Sequence, residues 1–301
     1  MKKYLLKIVL FFGIVFVVDL GYGKACAWLQ AHAKGGITAK IYNTAQVQEA
    51  EIVIMGSSRA HHHYSPSVIR EVTGLAAYNA GVDGNGVVLS TGLYDMIRER
   101  YSPKVILYDV EPAFDINVYA EDGNNTRYIG WLRPYFDYSQ VKDIVCRVDA
   151  SERYKNLSAM FRYNSKVVDM LKDFVVLTDY TTDGYSPMFG EMKTEPTTQG
   201  RGGITQRDSL KLSIMEVYIS NVCKTDTKLI MIASPKYGAV TSKVFDPIKE
   251  MCKQYGVEFW DFYCSPEFQR LEYFKEPMHL NDKGARAFSE SVAHKLCKNL
   301  F

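Results

Sequence analysis

The 301-residue chain lacks several signatures that would point to a bound ion or polymer. Its six cysteines (Cys26, Cys146, Cys223, Cys252, Cys264, Cys297) form no C-x-x-C pair and no cysteine/histidine spacing of the zinc-binding kind, so no structural metal is implied. Small buried thiols are the plainer reading. There is no basic block: 36 basic and 34 acidic residues are dispersed along the chain, so no surface that follows a phosphate backbone is expected, and nucleic acid is excluded as a partner. Neither the P-loop lysine nor the G-x-G-x-x-G pattern accompanies the glycine-rich stretch Asp83-Gly84-Asn85-Gly86, which removes a nucleotide cofactor. No internal repeat and no low-complexity tract is present.

What is present begins at the N-terminus. Lys2 and Lys3 precede an apolar run from Tyr4 to Val18, broken only by Lys7 and closed by Asp19. This is the pattern of an export signal, with the positive charges on the cytoplasmic side and the rest of the chain beyond the membrane. Residues 1–29 are read as an uncleaved signal-anchor. Ala25-Cys26-Ala27 has the small-x-small form of a cleavage site, and cleavage there would release the remainder as a secreted protein. Residues 30–50 read as a connecting segment.

From residue 51 onward, short apolar runs alternate with helical periodicity. Glu51–Met55, Ala76–Asn79 and Lys104–Asp109 read as buried strands, and so do Lys228–Ala233 and Val257–Asp261. Helices are predicted from a Ser65 cap with Pro66 in the first turn, over Val87–Arg100, Arg207–Cys223 and Phe245–Tyr255, and from Asp282 to about Asn299. Such alternation specifies a parallel sheet covered on both faces. Residues 112–205 lose the alternation and read as an insertion near the carboxyl ends of the strands, where ligand sites in such sheets form. The 21 tyrosines suit half-buried packing more simply than a sugar-stacking groove.

Two segments carry chemistry. Gly56-Ser57-Ser58-Arg59 follows the first strand, so that a tight glycine turn would present the Ser58 hydroxyl at the strand's carboxyl end, with the Ser58 amide available to a developing oxyanion. Near the C-terminus, Glu276-Pro277-Met278-His279-Leu280-Asn281 places an acid three residues before a histidine, ahead of a helix. One short segment can thereby supply both a base and the carboxylate that orients it. His61-His62-His63 are expected to diverge, because successive side chains point apart, and no metal site is read there.

These residues resemble the SGNH (GDSL-like) hydrolase superfamily, and within it the membrane-anchored branch of esterase-like and polysaccharide O-acetyltransferase-like proteins. The similarity covers roughly residues 50–112 and 205–300. It implies a three-layer α/β/α flavodoxin-like domain over residues 51–301, with Ser58 as nucleophile, His279 as base and the Gly81 amide of Asn79-Ala80-Gly81 joining that of Ser58 in the oxyanion hole. Two departures stand out. Glu276 replaces the usual aspartate, with Asp282 as the alternative acid. The third block, usually G-x-N-D, is replaced by Tyr108-Asp109-Val110-Glu111, leaving Asn79 or Asn85 as stand-ins for the missing donor. The resemblance implies a membrane-tethered, extracytoplasmic serine esterase or acyltransferase without cofactor. It would act on acyl esters, acetyl above all, of cell-envelope or extracellular glycans. The alternative is a catalytically silent relative that binds or helps assemble glycans.

Overall fold

The run Ile52-Val53-Ile54-Met55 has no polar face, and a strand of that composition has to be covered on both sides. The computed structural model describes residues 1–119, 125–175, 183–195 and 206–300, and in it this run forms β1 (Ile52–Gly56), buried throughout. With β2 (Ala77–Asn79), β3 (Val105–Asp109), β4 (Lys228–Ala233) and β5 (Glu258–Asp261) it makes a five-stranded parallel sheet of order β2-β1-β3-β4-β5. Every neighbouring pair is parallel, with Ile52 beside Ala77 and Val105, and Ile230 beside Glu258. The fold is α/β, as the alternation predicts, and its strand order is that of the doubly wound flavodoxin-like sheet.

Helices Pro66–Thr73 and Asp282–Leu300 pack together with the short helix Ser58–His63, while Val87–Arg98 packs on Ser209–Val222. Asp208 caps the Ser209–Val222 helix by accepting from the amides of Leu210 and Lys211, at 2.9 and 3.1 Å. One cluster joins Ile54, Leu107 and Ile232 of the sheet to Phe288, Val292 and Leu296 of the last helix. Tyrosines pack in the interior: Tyr218 lies 5.6 Å from Tyr94 and 5.1 Å from Tyr108 between ring centroids, all three buried. A two-stranded antiparallel ribbon, β6 (Phe274–Glu276) and β7 (His279–Leu280), occupies what the sequence presents as a loop.

This sheet belongs to one of two compact units, made of the described residues of Thr44–Gly123 and Tyr180–Phe301. The other comprises those of Met1–Asn43 and Asn124–Asp179. Residues 112–205 are therefore divided between the units, with 120–124, 176–182 and 196–205 outside the described residues.

In the other unit, Lys2–Ala31 forms one helix of 30 residues, whose most apolar stretch has a mean hydropathy of 2.2 and no buried residue. At ~1.5 Å per residue it is about 45 Å long, longer than the ~30 Å core of a bilayer. It has the length and composition of a membrane anchor or a signal sequence. Its second half is engaged with protein. Asp19 accepts from Ser158 Oγ and from the amides of Ala159 and Met160, at 2.7, 2.8 and 2.8 Å, so it caps the helix Ala159–Asn164 from outside that helix. Gln30 donates to the Tyr135 hydroxyl at 2.7 Å. The segment read as a connector is helical over Gly36–Tyr42, with the Thr38 amide donating to Asp173. Among all six cysteines, only Cys26 and Cys252 are buried, and none is paired.

Candidate active site

β1 ends at Gly56, whose φ of +135° disfavours any side chain, and a Cβ there would lie 2.5 Å from the Asp109 carbonyl oxygen. The chain can therefore turn directly against β3. Ser57 takes the capping position and Ser58 is the first residue of the helix Ser58–His63, half-buried. Amides in the first turn of a helix have no acceptor within it.

The ribbon delivers the partner from the other end of the chain. Pro277 and Met278 form its turn, which sets Glu276 directly opposite His279. His279 Nδ1 hydrogen-bonds to Glu276 Oε1, and His279 Nε2 lies 2.8 Å from Ser58 Oγ. A carboxylate only accepts, so the proton sits on Nδ1 and the Nε2 lone pair faces the Ser58 hydroxyl. Burial works to raise the Glu276 pKa. The hydrogen bond from His279 and the Met278 amide at 3.1 Å outweigh it and hold the carboxyl below its ordinary range. Asp282, the alternative acid, instead accepts from the Tyr185 hydroxyl at 3.0 Å.

The expected oxyanion donors are placed differently. The Gly81 amide donates to Asn79 Oδ1 at 3.0 Å, closing a local turn. The glycine itself is required by a close approach, since a Cβ at Gly81 would lie 2.5 Å from the His61 amide nitrogen. Asn79 is fully buried and its amide is spent on the serine helix, donating to the carbonyls of Ala60 and Tyr64 at 2.7 and 2.9 Å. Asn85 donates to the Asp83 carbonyl, 2.9 Å away, within its own loop. Neither asparagine is directed at Ser58.

Two further residues of the serine helix, neither marked out by any local sequence pattern, brace the site. Arg59 is fully buried; it forms an ion pair with Glu111, lies 3.6 Å from Asp109, and donates to the carbonyls of Val110 and Ser234. The loop that follows β3 is thus committed to neutralising a buried guanidinium. Burial pushes the Asp109 pKa up to about 6 even with Arg59 pulling it down. His63 is equally buried and accepts the Leu280 amide on Nε2 at 3.0 Å, which leaves its Nδ1–H to donate to Ser234 Oγ at 3.0 Å. It pins the helix that carries Ser58 to the residue after His279. Burial, aided by the charge of Arg59, keeps the His63 pKa well below the ordinary value.

The histidine run corrects the expectation of divergence. His61 and His62 lie with ring centroids 4.5 Å apart, and both reach Asp83: His61 Nδ1 at 2.7 Å and His62 Nε2 at 3.2 Å from Oδ1. A helix step of about 100° separates their Cβ atoms, but two long rings leaning toward a common carboxylate close that gap. The Asp83 side chain remains more than half exposed. No protein-family model matches the chain, and no curated protein matches it.

Proposed function

We propose that the protein is a serine esterase or acyltransferase of the SGNH type, and the observation that carries this reading is the hydrogen-bonded line Ser58–His279–Glu276. In this reading His279 Nε2 takes the Ser58 proton as Oγ attacks an acyl carbonyl, and the imidazolium so formed is held by Glu276. The tetrahedral oxyanion is met by the Ser58 amide at the start of its helix. Collapse expels the alcohol, protonated by His279, and leaves an acyl-serine. Water as the second acceptor gives a deacylase; a sugar hydroxyl gives a transferase.

The substrates proposed are acyl esters, chiefly acetyl esters, of cell-envelope or extracellular glycans. The support is the charged-then-apolar N-terminus, whose pattern is that of an export signal or membrane anchor. Retention of that segment as an anchor is supported by Asp19, whose bonds to Ser158, Ala159 and Met160 would be lost on cleavage at Ala25–Ala27. The test is acetate release from O-acetylated glycan by the full-length protein in detergent. Wild type should release acetate or move it to a second glycan, and Ser58→Ala should do neither.

A second reading, a glycan-binding relative that no longer turns over, is favoured by one observation. The Gly81 amide and the Asn79 side chain, two of the expected oxyanion donors, are occupied by one another and by the serine helix. Losing one such donor costs on the order of 10²- to 10³-fold in rate. Tight binding of the same glycan without release of acetate would select it.

A further inference from the structure

We infer that His61 Nδ1, His62 Nε2 and Asp83 form a binding site for one divalent transition-metal ion of the zinc class, beside the serine site and separate from it. Their three ligand atoms lie within 4.8 Å of one another. Ligands around a tetrahedral ion at about 2.1 Å sit roughly 3.4 Å apart, so only small side-chain adjustments are needed. Two imidazole nitrogens with one carboxylate oxygen suit zinc and its neighbours better than calcium or magnesium, which take all-oxygen sets.

The orientation of His62 adds an independent argument. Its Nδ1 lies 2.7 Å from the Ser186 carbonyl oxygen, which can only accept, so Nδ1 carries the proton. The Nε2 lone pair is therefore aimed at the Asp83 carboxylate, 3.2 and 3.3 Å from its two oxygens. Two electron-rich groups held face to face call for a cation between them. A second proton on His62 would relieve that one contact, whereas a metal ion would relieve it and engage His61 as well. A ring N–H held by a backbone carbonyl is also the support that metal-bound histidines generally have. Because Asp83 is open to water, the ion would keep exchangeable positions. It would lie next to the base, since the His62 ring meets that of His279 edge to face at 5.7 Å. The site stands on this geometry whether or not Ser58 is a nucleophile.

The test uses the full-length protein in detergent, freed of metal with a chelator and titrated with zinc against a chromogenic competitor. Wild type should bind one equivalent. Asp83→Asn and His62→Gln should each weaken binding at least about tenfold, and His61→Gln with His62→Gln should abolish it. X-ray absorption at the zinc edge of the wild-type complex should show two imidazoles and only nitrogen and oxygen ligands, an outcome independent of how the variants fold. Absence of binding to the folded wild type, affinity unchanged in the variants, or a sulfur-dominated spectrum would overturn the proposal.

Discussion

The Ser58 hydroxyl lies 2.8 Å from Nε2 of His279, across 221 residues of sequence, and Glu276 closes the line behind the imidazole. The geometry makes Glu276 the member to vary. Glu276→Gln should lower kcat for p-nitrophenyl acetate by roughly 10²- to 10⁴-fold with the fold intact, because a neutral amide stabilises the imidazolium less and no longer fixes its tautomer. Glu276→Asp should retain more activity than Glu276→Gln. Asp282→Asn, which touches Tyr185 and not His279, should leave kcat near wild type.

Arg59 should matter more to stability than any surface ion pair. Arg59→Met leaves Asp109 and Glu111 buried without their cation, and truncating a buried pair in this way costs about 3–5 kcal/mol. Urea denaturation of the full-length protein in detergent would read this as a fall in midpoint. A midpoint equal to wild type would show that the pair contributes nothing net.

His63 gives a pH-dependent signal whose sign can be worked out. Its folded pKa is depressed, so below about pH 6.5 the unfolded chain takes up a proton that the native state refuses. Near pH 8, His63→Leu should destabilise by about 1–3 kcal/mol, since the Leu280 amide and the Ser234 hydroxyl lose their partner. As the pH falls through 6.5 that difference should shrink, by at most about 1.4 kcal/mol per pH unit. Measuring the difference between the two proteins cancels the opposite trend of Asp109, whose raised pKa favours the native state in acid.

Asp19 links the apolar helix to its own unit. Intact-mass measurement of the membrane fraction should find the chain with its apolar N-terminus attached. Asp19→Ala should cost about 1 kcal/mol through loss of the cap on Ala159–Asn164. Protease added to intact spheroplasts should digest the chain beyond residue 50. A mature N-terminus at or after Cys26, or full protection until lysis, would contradict the anchored, outward-facing arrangement.

The strands were legible because Ile52–Met55, Val105–Leu107 and Leu229–Ile232 are unbroken apolar runs that only a doubly covered sheet can bury. The ribbon holding His279 was not, because β6 and β7 are too short for a period to register and Pro277 reads as a breaker. Ser58 and His279 stand out through local spacing. Arg59 and His63 look like surface residues in sequence, and only the closing of β3, β4 and the ribbon over the serine helix buries them. Asp83 was hidden in the same way: its glycine-flanked setting suggests a phosphate loop, and its nearness to His61 and His62 arises from the pairing of β2 with β1.

An activated Ser58 nucleophile should react with a fluorophosphonate probe, and peptide mass spectrometry locates the adduct. A stoichiometric adduct is expected on Ser58 in the folded wild type, absent in Ser58→Ala and strongly reduced in His279→Ala. Folded protein that remains unlabelled at Ser58, or is labelled equally well in His279→Ala, would contradict that activation.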